Sequence, residues 1–192
     1  MKNIIGILLI SLLSGCIVER EYIVDYDYSY RGNFKKYRTF SFLSTGDSIN
    51  FNGMSDNLIK DEIERRMKSQ GYVLKEKRPS ILIAYKIFGE DFKLQGYEQV
   101  DLENWEDNYG QYELSDDQIA EIDIARYNER DIDLRKGTLL IDFIDTKSHS
   151  VIWQGYASGL FDDETLFSKD AKYAVRTILN QYRMVAFSNV TQ

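Results

Sequence analysis

The stretch KGTLLIDFIDTKSHSVIWQGYASG, residues 136–159, sets the architecture. Two apolar segments, Lys136–Asp145 and Val151–Gly159, flank the polar segment Thr146-Lys147-Ser148-His149-Ser150. That pattern reads as a β-hairpin. Leu139, Ile141 and Phe143 fall on one face, Leu140 and Ile144 on the other. Strands apolar on both faces are covered on both sides, so this hairpin is expected at the centre of a sheet.

The flanking segments supply the other elements. Val24, Tyr26, Tyr28 and Tyr30 alternate with Asp25, Asp27 and Ser29, which predicts a strand. A second strand is expected over Thr39–Leu43. Leu58, Ile59, Ile63 and Met67 recur at helical spacing, with Asp61, Glu62, Glu64, Arg65 and Arg66 assigned to the solvent side. Gly71 follows as a helix stop, and Gly71-Tyr72-Val73-Leu74 reads as a short return strand. Pro79 opens the apolar run Ile81–Phe88, read as a strand covered on both faces. A last amphipathic helix over 168–182 points Ala171, Ala174, Val175, Ile178 and Leu179 inward. The expected fold is α+β: a mostly antiparallel sheet with two helices packed on one face. Residues 23–185 form the single domain and 186–192 a tail. Within it, the acidic residues 93–130 read as a surface insertion with little regular structure.

Length and composition bound the function. One domain accommodates most of 192 residues. A net charge of −7 and a pI near 4.9 argue against a nucleic-acid partner. One His and one Cys exclude a Cys/His zinc site or a disulfide within this chain.

The N-terminus carries a processing signal. Lys2 precedes an apolar run, Ile4–Leu13, about half the ~20 residues of a bilayer span. Leu13-Ser14-Gly15-Cys16 then forms a lipobox, and Cys16 is the only cysteine. Residues 1–15 are expected to be a cleaved lipoprotein signal peptide, Cys16 the lipidation site, and residues 16–22 a tether. Two or three acyl chains make such an anchor effectively permanent, whereas one holds marginally. Ile17, rather than Asp, follows Cys16, which favours the outer membrane; the periplasmic leaflet is expected over the cell surface. Glu19 and Glu21 are a weak surface-export signal.

The chain resembles bacterial lipoproteins of the domain of unknown function 4136 family. The resemblance rests on Val24-Asp25-Tyr26-Asp27, residues 33–40, Gly71-Tyr72, residues 79–85, Lys136–Asp145 and Val151–Gly155. It departs in the acidic middle and at Tyr182-Arg183-Met184, where the family ends on Phe/Tyr-Pro. It implies a fold and an envelope location, and no catalytic activity.

Several residues are candidates for chemistry. Asp25 with Asp27, and Asp142 with Asp145, could do acid–base work or bind Ca²⁺. The alternative is an exposed edge-strand face for the first pair and a turn role for Asp145. His149 lies in a hairpin loop, a poor place for a pre-organised base. Tyr26, Tyr28, Tyr85, Trp153 and Tyr156 could line a glycan- or lipid-binding sheet face, or could simply be core. Trp105 and Tyr109 are candidate partner contacts on the acidic insertion. The expected function is a non-catalytic, membrane-anchored envelope lipoprotein acting through protein or cell-wall contacts, without cofactor or metal. The alternatives are a glycan- or lipid-binding module and a carboxylate-based hydrolase.

Overall fold

The computed structural model describes residues 23–43, 54–99, 102–108, 128–159 and 168–186, with residues 115, 117, 118 and 121. Cys16 and Tyr109, the expected lipidation site and one expected contact residue, lie outside the described residues.

The fold is α+β. Eight strands occur among the described residues: β1 (Ile23–Tyr28), β2 (Thr39–Phe42), β3 (Val73–Leu74), β4 (Ile81–Ile87), β5 (Phe92–Glu98), β6 (Asn128–Leu134), β7 (Leu139–Asp145) and β8 (Val151–Ser158). The helices described in full are α1 (Met54–Ser69), the short α2 (Leu102–Asn108) and α3 (Ser168–Leu179), with a 3-10 turn at Phe34–Lys36. Six strands form one sheet in the order β1-β8-β7-β4-β2-β3, and β5 pairs with β6 in a separate ribbon. The pairs β1–β8, β8–β7, β7–β4 and β5–β6 are antiparallel; β2 runs parallel to β3 and β4. No described helix is long and apolar enough to cross a membrane.

The β7–β8 hairpin lies inside the sheet, flanked by β4 and β1. Leu139, Ile141, Phe143, Trp153 and Ala157 are buried on the face that α1 and α3 cover. All five α3 residues expected inward are buried, as are Ile59, Ile63 and Met67 of α1. Gly155 lets that packing close. A Cβ there would collide with Cη2 of Trp153 and sit 2.7 Å from Cγ2 of Ile178 on α3. Glu62 departs from the expected solvent side: it is 3% exposed. Its carboxylate accepts from Arg176 Nε at 2.6 Å and Arg65 Nη1 at 2.7 Å, which ties α1 to α3 and offsets the cost of burying the charge.

The other face carries its own cluster. Leu140 and Tyr156, directly opposite in register, are buried under Leu134, with Phe88, Phe92, Leu94 and Ile132 packed around them. The ribbon therefore covers β7 and β8 but stops short of β4. Leu82 and Ala84 are half-buried and Lys86 is exposed, so β4 is not covered on both faces as its apolar run suggested.

The insertion also differs from expectation. Its two ends are strands, because Phe92 and Leu94 alternate with Lys93 and Gln95, and Ile132 and Leu134 with Asp131 and Asp133. The tail is packed through its first residue: Ala186 is buried and donates its N–H to Gln70 O at 2.9 Å. Gly71 permits this approach. It takes φ +87°, and a Cβ there would lie 2.9 Å from Ala186 O.

Truncating Phe143 or Trp153 to Ala should cost about 3–5 kcal/mol in a denaturant titration. Gly155→Ala should cost about 1–3 kcal/mol by overpacking. A loss under about 1 kcal/mol for either truncation would show that the hairpin is not the centre of the core.

Candidate functional site

The outer face of β1 meets the ribbon at a charged contact. Asp25 and Asp27 point to that face, opposite Tyr156 and Gln154 of β8. Arg130 stands opposite Gly96 in the ribbon. Its Nη2 lies 2.6 Å from Asp25 Oδ2 and 3.7 Å from Asp27 Oδ1. Gly96 is needed for that approach, since a Cβ there would lie 2.8 Å from Asp27 Oδ2. Tyr97 N–H donates to Asp27 Oδ1 at 3.3 Å. Burial pushes the Asp27 carboxyl above its ordinary value, opposed by the Tyr97 amide and the Arg130 guanidinium. The aspartate pair is thus neither an open solvent face nor a free acid–base pair. It holds the ribbon on the sheet.

Beside this contact lies a cleft of about 200 Å³ lined by Asp25, Tyr26, Tyr28, Tyr97, Glu98, Gln99 and Arg130. Gln99 closes the edge of β1 there. Its Oε1 accepts from Tyr28 N at 2.9 Å and its Nε2 donates to Tyr28 O at 2.7 Å. The side-chain amide thereby stands in for the backbone of a neighbouring strand.

The remaining candidates are dispersed. Asp142 accepts from Gln154 Nε2 at 2.8 Å, with its pKa raised by burial. Asp145 has the expected turn role: Oδ1 accepts from Lys147 N at 2.6 Å, and Oδ2 from Tyr37 OH at 2.8 Å. His149 is exposed, with φ 56°, and its N–H donates to Asp145 O at 2.9 Å. Asp142 and Asp145 bond to different side-chain and backbone partners, and the bond between Asp145 and His149 is a main-chain one, so these three groups form no nucleophile–base pair. Among the described residues, no three His, Cys, Asp or Glu side chains are grouped to hold a metal ion.

The aromatic residues are mostly core. Trp153, Tyr156 and Tyr28 are buried, so the sheet does not offer them as a stacking platform. Trp105, expected on the surface as a partner contact, is 2% exposed and stacks on Tyr30 at 4.0 Å between ring centroids. The reason is the docking of α2. Glu106 accepts from Phe34 N at 3.3 Å, Lys35 Nζ donates to Glu106 O at 2.7 Å, and Leu102 is buried beside them. Burial raises the Glu106 pKa, with Lys35 pulling the other way. Tyr182, which replaces the expected Phe/Tyr-Pro ending, is fully buried, and its hydroxyl lies 2.8 Å from that of Tyr72. Burial pushes the Tyr72 hydroxyl up to about 12.

A mixed sheet covered by a helix pair on one face and by a two-stranded ribbon on the other defines the class. The domain of unknown function family DUF4136 matches residues 24–182, and the chain belongs to that family. The crystal structure of a DUF4136 family protein from Bacteroides thetaiotaomicron is similar over 86% of this chain and 97% of its own, with a TM-score of 0.54 at 15% identity. That likeness is one of fold. A PDZ domain protein from Parabacteroides distasonis is similar over 87% of this chain and 37% of its own, with a TM-score of 0.48 at 18% identity. The PelC dodecamer from Paraburkholderia phytofirmans shows 8% identity and a TM-score of 0.38, over 88% of this chain and 100% of its own. No curated protein matches the chain.

Arg130→Ala should lower stability by about 1–2 kcal/mol near neutral pH, given the partial exposure of the ion pairs. The sign with pH follows from Asp27. Without Arg130 its folded pKa rises further above the unfolded value, so the penalty is present above that folded pKa. It shrinks as pH falls through the folded pKa toward about 4. Melting curves near pH 7 and near pH 4 check this; an equal loss at both would remove the electrostatic account.

Proposed function

We propose that this chain is a membrane-anchored envelope lipoprotein that acts through protein or cell-wall contacts and not through catalysis. The observation that carries the reading is Leu13-Ser14-Gly15-Cys16, with the chain's single cysteine at the position where the lipobox needs it. Only residues 17–22 separate Cys16 from Ile23, the first residue of β1. A lipid on Cys16 would hold the folded domain close to the bilayer. The non-catalytic part draws support from the carboxylates. Asp25, Asp27, Asp142 and Asp145 each have structural partners, and among the described residues these carboxylates are not joined with His149 in a nucleophile relay.

A glycan contact is a second reading with one specific observation behind it. Tyr26 and Tyr97 are half-buried and share the 200 Å³ cleft with Asp25, Glu98 and Arg130. That volume is below the roughly 300–1,000 Å³ of drug-sized sites, so it suits a single sugar ring. Titration with neutral and amino monosaccharides, followed by NMR, tests it. Shifts at the cleft that vanish in Tyr97→Ala support it, and no shift at about 50 mM sugar removes it.

The lipoprotein reading predicts that Cys16→Ala abolishes incorporation of labelled fatty acid and leaves a precursor of higher mass. Continued labelling of that variant, together with flotation with membranes, would overturn it.

A further inference from the structure

The ends of the sheet are not equivalent with respect to Cys16. Ile23 pairs with Ser158, the last residue of β8. The next row, Val24, Ala157, Leu139 at the start of β7 and Ile87 at the end of β4, lies at the same end. Two turns close that end. Gly137 N donates to Phe88 O at 2.7 Å, Lys136 N to Asp91 Oδ1 at 2.7 Å, and Arg135 N to Ser158 Oγ at 2.9 Å. The opposite end carries the hairpin loop of residues 146–150, Ser80 and Tyr28.

The lengths discriminate between the two ends. β8 runs from Val151 to Ser158, about 23 Å at roughly 3.3 Å per residue. The chain from Cys16 to Ile23 reaches at most about 25 Å when fully extended. A flexible segment of that length averages nearer 15 Å. The hairpin loop lies beyond the far end of β8. With the strands upright on the bilayer, it could approach a membrane holding Cys16 only if the tether were stretched to its limit and folded back along the sheet.

We propose that the Ile23 end of the sheet, with the turns at residues 88–91 and 135–138, is the surface that faces a phospholipid bilayer. This rests on lipidation of Cys16. The chemistry of that end suits the interface of a bilayer. Phe88 and Phe92 stack at 3.9 Å between centroids, and Lys86 Nζ lies 4.7 Å from the Phe88 ring. Lys86, Arg135 and Lys136 are exposed, and long cationic side chains reach lipid phosphate while their stems stay against apolar surface. Glu90, Asp91 and Asp133 share this end, so charge alone does not bind it to lipid. The anchor places it there, and the basic side chains make the contact. The loop at residues 146–150 then points away from the bilayer, toward whatever the domain contacts.

The test uses the full chain, produced with its lipid and reconstituted into vesicles of phosphatidylethanolamine and phosphatidylglycerol. A spin label is attached at Gly89→Cys or, separately, at Ser148→Cys. A Cβ at Gly89 meets nothing within 4 Å, and Ser148 is exposed, so both positions accept a label. With Cys16 acylated, the introduced thiol is the one that reacts. Nickel chelated on a lipid headgroup should relax the label at position 89 several-fold more than the label at 148. Equal relaxation, or stronger relaxation at 148, in vesicles that float with the protein would overturn the orientation and leave the anchor intact. Protein that carries no fatty acid and fails to float would overturn the anchor, and the orientation with it.

Discussion

Leu140 and Tyr156 lie side by side on the face of the sheet that the helices leave open, and the rest of the architecture answers to them. The β7–β8 hairpin is apolar on both faces, so a single layer of helices would leave large side chains in water. The sheet therefore needs two covers. The helix pair closes the face of Phe143 and Trp153, and the ribbon closes the face of Leu140 and Tyr156. The second cover is small, which is why β4 stays half-exposed on that side.

Charged groups fix the two covers in place. Glu62 sits between the helices and takes two arginines, so the helix layer carries an internal joint. Asp25 and Asp27 take Arg130, so the ribbon is latched to the edge strand. The helix joint places its carboxylate on the buried side and its arginines on the exposed side, whereas at the ribbon latch Arg130 and Asp25 are about equally exposed and Asp27 is the more buried group. Arginine's long stem can fill such an edge while its guanidinium stays hydrated. At the helix joint, removing an arginine therefore leaves a poorly solvated anion, whereas removing Glu62 leaves solvated cations.

The regular elements were legible in the residue pattern. The hairpin, α1 and α3 announce themselves by period, and Gly71 by its place after the helix. Period alone could not reveal the partner of a polar residue. Glu62 reads as one more charge on a solvent face until Arg176, far along the chain, arrives beside it. The ribbon was masked differently. Its outward positions are Lys93, Gln95, Asp131 and Asp133, and their charge obscures the alternation of Phe92, Leu94, Ile132 and Leu134. Trp105 was misplaced for the same reason: an acidic neighbourhood suggested surface, while Leu102 and Trp105 on one side of a short helix were the signal of docking. The cleft and the latch join residues from β1, β5 and β6, and no local spacing encodes that meeting.

Pairing Ile23 with Ser158 has a consequence for the order in which the molecule can assemble. Among the described residues, β1 finds its sheet neighbour in β8, the last strand, and α3 comes later in the chain than that strand. A chain grown only as far as the hairpin loop can form β4 against β2 and β7, but β1 has nothing to pair with. Closing so long a loop is entropically late, and topologies dominated by distant pairings fold slowly. β1 is thus synthesised well before its partner strand and is among the last elements to become structured. A truncation anywhere in β8 or α3 would disorder the N-terminal strand as surely as deleting it.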